Sequence, residues 1–166
     1  PTKVKTIQQY LDNDYDVISC VGHVKDLPSN ELGIDIDNNF EIKLSVLPDK
    51  KKFINELRKK SKSAPRVLIA TDPDREGEAI AAHLATEVPE EKMERVQFTE
   101  ITKAGIKEGI ENIRGIDTDL VQAQTARRVI DRLVGYKVSP VLWATLQSNM
   151  KFVNTTLSAG RVQSAA

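Results

Sequence analysis

Residues 67–84, with the sequence VLIATDPDREGEAIAAHL, decide the fold that we expect for this chain. The stretch opens with four apolar residues at 67–70, a run typical of a buried parallel strand. A short turn follows, and Ile80, Leu84 and Val88 then recur at the spacing of one helix face. The stretch therefore predicts a strand, a turn and a helix. In open α/β sheets, this edge of the sheet is where ligands bind.

One interpretation of the turn between strand and helix is helix capping. Asp72 could be the N-cap, with Pro73 at the first helical position. Asp74 and Glu76 would then complement the positive end of the helix dipole. Gly77 weakens such a helix by roughly 1 kcal/mol relative to alanine. Capping accounts for one or two of the acidic residues in this turn and leaves the others without a role.

Metal binding is the alternative interpretation, and it accounts for the whole charge of the turn. Four carboxylates fall within residues 72–78, and neighbouring carboxylates repel each other. A divalent cation removes that repulsion. Mg²⁺ prefers oxygen ligands and commonly combines one or two carboxylates with phosphate oxygens. From this chemistry we favour metal binding over capping.

Composition sets broad limits on the function. The chain has 166 residues, enough for one domain or for one domain and part of another. Its 24 basic and 24 acidic residues balance, which leaves nucleic acid possible as a partner if the basic residues cluster. Cys20, the single cysteine, excludes an intrachain disulfide. No apolar run has membrane-spanning length and no signal peptide is visible, so we predict a cytoplasmic protein without membrane contact.

Before the acidic turn, the pattern predicts a helix, a strand, a hairpin and a second helix. Residues 1–11 carry apolar side chains at helical spacing, and residues 16–22 (DVISCVG) form a β-type run. Residues 29–49 predict a short hairpin with its turn at 37–39. The basic segment 50–63 predicts a helix whose lysines form a solvated face and do not bind DNA.

After the acidic turn, the pattern predicts another strand at 95–102 (RVQFTEIT) and a helix at 103–113. Strands that alternate with helices predict a parallel α/β sheet. A domain boundary is expected near residue 115, where Asp117 or Thr118 offers N-cap chemistry for a long helix. Apolar residues at helical spacing in that long helix are Leu120, Ala123, Ile130, Leu133 and Val134.

Five separated motifs resemble those of one protein family. Asp72-x-Asp74-x-Glu76 after an apolar strand resembles the acidic signature of TOPRIM domains. The strings TDPDREGEAIA, VGH, FTEIT, ARRVIDRLVGY and SAGRVQS together resemble type IA DNA topoisomerases, of the bacterial topoisomerase I kind, over nearly the whole chain. The resemblance implies a TOPRIM (Rossmann-like) α/β domain at residues 1–115, a parallel sheet flanked by helices with its first strand missing. Residues 116–166 would begin the helical DNA-binding domain of the topoisomerase core.

The resemblance also implies an activity for the longer parent protein. A type IA topoisomerase relaxes negatively supercoiled DNA by cutting one strand transiently through a 5′-phosphotyrosine and resealing it, with Mg²⁺ and without ATP. The family's nucleophilic tyrosine lies in a later domain. We therefore expect none of Tyr10, Tyr15 and Tyr136 to be the nucleophile, and we expect this fragment to be inactive by itself.

Particular residues take their roles from the same resemblance. The implied catalytic residues are Lys3, His23, Asp72, Asp74, Arg75 and Glu76, and the implied Mg²⁺ ligands are Asp72, Asp74 and Glu76. The implied DNA contacts are Arg127, Arg128, Asp131, Tyr136, Ser158, Arg161 and Gln163. Without the resemblance, the lysine and arginines would be interpreted as surface residues, His23 as structural and Tyr136 as part of a core.

Other classes of protein share some of these features. Another TOPRIM enzyme, such as a primase or nuclease, would keep the acidic residues but lack SAGRVQS. A reverse gyrase would add a helicase module, and a non-catalytic single-stranded-DNA-binding module would show no metal-dependent cleavage. The expected partners are single-stranded DNA segments and the remaining topoisomerase domains of a monomeric parent chain. The link at 145–156 is longer than is usual for the family, which leaves its geometry open.

Overall fold

The computed structural model describes residues 2–11, 14–142 and 144–145 of the chain. Within those residues, no helix is both long enough and apolar enough to cross a membrane. In chain order the elements are α1 (Thr2–Tyr10), β1 (Lys25–Asp26), β2 (Ile34–Asp35), β3 (Glu41–Ile42), β4 (Ser45–Val46), α2 (Lys51–Ser63), β5 (Val67–Ala70), α3 (Arg75–Ala85), β6 (Met93–Val96), α4 (Lys103–Glu111) and α5 (Thr118–Leu142).

The chain forms two compact units, and neither is continuous in sequence. The first comprises residues 1–26 and 45–124, and the second comprises residues 27–44 and 125–166. The segment 27–44 is grouped with residues that begin at 125, and α5 contributes to both units. The two units therefore do not coincide with the division predicted at residue 115. The predicted domain boundary itself stays a prediction.

The first unit is built on the parallel pair β5 and β6. Val67 of β5 lies opposite Met93 of β6, and the register continues to the ends of both strands. Ile69 at the centre of β5 is buried because helices α2 and α3 cover it with the apolar side chains Ile54 and Leu84. Strands β1 and β4 add a separate antiparallel pair. The predicted parallel sheet flanked by helices is therefore confirmed.

The β-type run at residues 16–22 is not a strand, and that prediction was wrong. A strand needs a hydrogen-bonded neighbour. Residues 16–22 and all of β5 instead lie on the lining of one cleft of about 1130 Å³. At the end of the run, Val21 and Gly22 both have positive φ angles, of 50° and 84°, which turns the backbone out of an extended path.

The strand predicted at 95–102 begins and ends earlier than its pattern indicated. Strand β6 ends at Val96, so the sequence FTEIT lies beyond it. Thr102 is the N-cap of α4, and its hydroxyl accepts a hydrogen bond from the amide of Gly105 at 3.1 Å. Glu100, predicted near a strand end, is exposed and accepts a hydrogen bond from the Thr102 hydroxyl at 2.7 Å. The last residue of the predicted strand, Thr102, therefore caps α4 and does not belong to β6.

The second unit contains the predicted hairpin and most of α5. Strands β2 and β3 are antiparallel, with Ile34 opposite Ile42, and the turn between them contains Asn39 with φ of 51°. Val129 on α5 is buried against the hairpin residue Ile34 and its neighbours. Ile130, which the periodicity assigned to the apolar stripe, is instead 50% exposed. The start of α5 agrees with the prediction, since Asp117 accepts a hydrogen bond from the amide of Leu120 at 3.1 Å.

Candidate active site and nucleic-acid surface

The acidic turn connects the end of β5 to the start of α3, as the sequence predicted. Its N-cap is Asp74 and not Asp72, which corrects the capping interpretation. The carboxylate of Asp74 accepts a hydrogen bond from the amide of Gly77 at 2.7 Å, and α3 begins at Arg75. Pro73 therefore precedes the cap and does not occupy the first helical position. One carboxylate of the turn thus has a capping role, and the others remain to be explained.

Gly77 has a packing role that the sequence interpretation missed. A Cβ at this position would lie 2.0 Å from the carbonyl oxygen of Asp72, so only glycine lets the turn fold back against the first turn of α3. The hydroxyl of Thr71 donates to the carbonyl of Gly77 at 2.7 Å and fixes the same approach. We predicted that Gly77 weakens the helix, but here the missing side chain is what allows the acidic turn to close.

The predicted catalytic side chains of this turn face solvent. Asp72, Asp74, Arg75 and Glu76 are all exposed. The carboxylate of Glu76 lies 2.7 Å from Nε2 of His23, so the structure joins two predicted site residues that are far apart in sequence. A carboxylate held against an imidazole can share a proton with it, which suits general acid–base chemistry.

Lys3 lies on α1 and is exposed. It lines the large cleft of the first unit together with Asp72 and the end of β5. A cationic side chain and a carboxylate therefore border the same opening. A phosphate entering that opening would meet a positive charge from α1 and the carboxylate of Asp72.

The acidic turn provides suitable ligands for Mg²⁺ but not a complete cage. Among residues 2–11, 14–142 and 144–145, no three His, Cys, Asp or Glu side chains converge on one metal position. Asp72, Asp74 and Glu76 are nevertheless exposed oxygen donors at alternate positions, from the turn into the first residues of α3. Because Mg²⁺ commonly binds through one or two carboxylates and completes its shell with phosphate oxygens and water, this donor set fits a site that forms with the substrate.

Behind the turn lies a buried ion pair that the sequence interpretation did not single out. Glu78 is 0% exposed and Arg95 is 1% exposed, and their side chains meet at 2.6 Å. Burial alone would raise the pKa of the Glu78 carboxyl, but hydrogen bonds from Arg95 and from the amide of Asp117 outweigh it and hold the pKa below its usual range. The sequence offered only a weak signal for this pair, because β6 has the sequence MERV and Arg95 follows another charged residue, Glu94.

His83 lies about two helical turns after Glu76 on α3, and its ring centre is 6.1 Å from that of His23. Its Nδ1 is buried without a hydrogen-bond partner among the described residues. Burial lowers the pKa of His83 to about 4, and the charges of His23 and Lys25 act in the same direction. His83 is therefore neutral at physiological pH.

The predicted nucleic-acid residues lie on α5 as far as the structure describes them. Arg127 and Arg128 precede Asp131 by four and three residues, so each is a neighbour of Asp131 on the helix surface. Tyr136 is 45% exposed, which fits a stacking surface better than a core. Three further predicted residues, Ser158, Arg161 and Gln163, lie outside the described residues, as does most of the link at 145–156.

Arg132, on the same helix, has a structural role that the sequence did not reveal. Its guanidinium donates to the carbonyl oxygens of Pro28 at 2.9 Å and Leu27 at 3.3 Å. These bonds hold the segment before the hairpin against α5 within the second unit. Arg132 is therefore occupied by the protein itself, unlike an arginine that contacts phosphate.

Comparison with known proteins agrees with this geometry. Residues 1–101 match the family model of the Toprim domain, and residues 115–166 match a model described as DNA topoisomerase. The structure of full-length topoisomerase I from Thermotoga maritima is 43% identical, with a TM-score of 0.84 over 99% of this chain. The present chain covers 27% of that protein's chain.

The parallel strands, the flanking helices and the acidic turn define a Toprim domain. The match to the DNA topoisomerase model and the similarity to the Thermotoga structure both extend into the helical region that follows this domain. The chain belongs to the bacterial type IA DNA topoisomerases, of which it comprises the Toprim domain and the segment after it.

Proposed function

We propose that the parent protein relaxes negatively supercoiled DNA in the cytoplasm by transient, Mg²⁺-dependent and ATP-independent cleavage of one strand. One observation carries this proposal. The exposed carboxylates at the end of β5 stand beside a carboxylate–imidazole pair, Glu76 with His23 at 2.7 Å. That combination serves phosphodiester chemistry, which needs charge neutralisation at the phosphate and a proton for the leaving oxygen.

The residues of this chain have distinct parts in that reaction. A tyrosine from a later domain attacks the phosphorus, and the bond from phosphorus to the 3′ oxygen breaks. The Glu76–His23 pair gives a proton to the departing 3′ oxygen, which leaves as a hydroxyl, and takes that proton back on resealing. The attacking tyrosine gives up its phenolic proton to solvent and recovers one from solvent when it leaves the phosphorus. Lys3 and Arg75 place positive charge near the phosphate. Asp72 and Asp74 would hold Mg²⁺, which would neutralise charge on the phosphate. Because one phosphoester is exchanged for another, no ATP is consumed.

Binding of the single strand falls to the C-terminal part of the chain. The proposed contacts are Arg127, Arg128, Asp131 and Tyr136 on α5, with Ser158, Arg161 and Gln163 further along. Arginines grip phosphates and an exposed tyrosine can stack on a base. The remaining domains of a monomeric parent would complete the groove.

The test is a relaxation assay on negatively supercoiled plasmid with the parent protein. We expect relaxation with Mg²⁺ alone, its loss on chelation, and at least a ~100-fold loss in the double variant Asp72→Asn with Asp74→Asn, a range typical of removed electrostatic stabilisation. Asp49→Asn, at an exposed aspartate that pairs with Lys50, is the matched control and should leave the rate unchanged.

The rival classes give different products in the same assay. An ATP requirement with positive supercoiling would indicate a reverse gyrase. Persistent nicked or linear DNA would indicate a nuclease, and primer synthesis would indicate a primase. Unchanged topology with DNA binding alone would indicate a non-catalytic single-strand-binding module. Any of these results would overturn the proposal.

A further inference from the structure

The buried pair Arg95 and Glu78 lies directly behind the acidic turn, and the proposed mechanism gives it no part. Its two side chains are almost completely removed from solvent. A buried ion pair is weak as a source of stability, because desolvation offsets the attraction between the charges. Such a pair in this position therefore calls for an explanation in terms of geometry.

The guanidinium of Arg95 grips the backbone on which the acidic turn is mounted. It donates to the carbonyl oxygens of Thr71 at 2.9 Å and Asp72 at 3.3 Å. It also donates to the carbonyl of Ile69 in β5 at 3.2 Å. Arginine can do this because its planar fork carries five donors in fixed directions. The carbonyl of Asp72 is thereby held from inside the protein while its carboxylate faces solvent.

Glu78 orients that guanidinium and links it to the next element of the chain. One carboxylate oxygen accepts from Arg95 Nε at 3.1 Å and from Gln97 at 3.2 Å. The other oxygen accepts from the backbone amide of Asp117 at 3.1 Å. Asp117 is the residue that caps the start of α5. One buried carboxylate thus joins the support of the acidic turn to the beginning of the long helix.

We propose that Arg95 and Glu78 are positioning residues that set the geometry of the acidic turn for phosphate-bound Mg²⁺, and that Glu78 couples this geometry to the start of α5. The inference rests on the proposed function of the turn. It assigns to Glu78 a role different from that of the neighbouring carboxylates, which face solvent. Neither residue touches the reacting atoms.

The test uses the full-length parent protein and the double variant Glu78→Gln with Arg95→Met. This variant removes both charges together, so no unpaired charge is left buried, and the glutamine keeps an acceptor for the amide of Asp117. Two quantities are measured besides thermal stability. They are the Mg²⁺ concentration for half-maximal cleavage of a single-stranded oligonucleotide, and the binding of Mn²⁺ alone, followed by the loss of its free electron paramagnetic resonance signal.

We expect the double variant to unfold within a few degrees of the wild type but to need at least tenfold more Mg²⁺. Mn²⁺ binding should weaken in parallel, and cleavage at saturating Mg²⁺ should fall much less. Arg95→Lys, which keeps the charge but loses the fork, should show the same separation between metal dependence and stability. This second variant decides the matter if the double variant fails to fold.

The matched control is Glu87→Gln, which weakens a different buried ion pair. Glu87 lies 2.5 Å from both Lys25 and Arg58, and the acidic turn makes none of these contacts. This variant should lower stability without changing the Mg²⁺ requirement. A stable double variant with wild-type dependence on both metals would overturn the positioning role. Failure of the wild-type parent to cleave DNA would contradict the proposed function, and the Mn²⁺ measurement would still decide the role of the pair.

Discussion

At the scale of single residues, Gly77 shows how packing reverses an ordinary rule. Replacing glycine by alanine inside a helix normally stabilises it by about 1 kcal/mol. Here the added Cβ would lie 2.0 Å from the Asp72 carbonyl oxygen, a backbone atom that cannot move without displacing the acidic turn. We therefore predict that Gly77→Ala lowers the free energy of unfolding by about 1–3 kcal/mol, as measured by urea denaturation.

The control for Gly77 is Gly115, which precedes α5. A Cβ there would meet nothing within 4 Å, so Gly115→Ala should change the free energy of unfolding by less than about 1 kcal/mol. Equal stability of the Gly77→Ala variant and the wild type would show that the turn can relax, and the argument for a required glycine would fail.

His83 predicts a pH dependence whose sign follows from its environment. Its pKa of about 4 in the folded protein lies below the ordinary 6.5, so the unfolded chain binds the extra proton first as the pH falls. Stability is therefore complete above pH 6.5 and declines between pH 6.5 and about 4, by at most ~1.4 kcal/mol per pH unit. Melting temperatures measured across this range should fall less steeply in His83→Gln. A parallel decline in both proteins would contradict the assignment.

At the scale of elements, the sequence pattern predicted most helices and the parallel pair of strands. Each of these elements shows its apolar residues at a regular spacing within one continuous segment. The helix at 51–63 and the hairpin follow their periodicity. Residues 16–22 have the composition of a strand, but a strand also needs a neighbour at hydrogen-bonding distance, which the sequence of one segment does not reveal. The burial of Glu78 and Arg95 could not be predicted either, because it depends on how α3 and β6 pack against each other.

Arg132 gives a prediction about the second compact unit. Its bonds to the carbonyls of Leu27 and Pro28 satisfy acceptors that would otherwise lose their partner. Arg132→Ala should lower the free energy of unfolding by about 1–3 kcal/mol, measured by chemical denaturation. Lys137→Ala, at an exposed position of the same helix, should stay within about 0.5 kcal/mol of wild type. A neutral Arg132→Ala variant would mean that water replaces the guanidinium at these carbonyls.

At the scale of the whole molecule, DNA binding should be dominated by phosphate contacts. We predict that the parent's affinity for single-stranded DNA falls with salt, with a log–log slope that becomes shallower by about 0.7 in Arg161→Ala. The loss should be similar for oligonucleotides of different sequence. Arg66→Ala, which breaks an ion pair with Glu94 on the first unit, is the control and should leave the slope unchanged. A sequence-dependent loss in Arg161→Ala would instead assign that arginine to base recognition.

The 166-residue chain alone should form no covalent intermediate with DNA, because we assign the nucleophilic tyrosine to another part of the parent protein. Tyr10 and Tyr15 are half-buried, and Tyr136 lies exposed on α5 where the family resemblance expects a DNA-contacting residue. The chain spans 27% of the Thermotoga relative, and we assign the nucleophile to the part of the parent that follows. Incubation with end-labelled single-stranded DNA and Mg²⁺ should therefore yield no labelled protein band after denaturing electrophoresis, while the parent yields one. A covalent adduct on any of the three tyrosines would move the nucleophile into this chain and overturn the proposed division of roles.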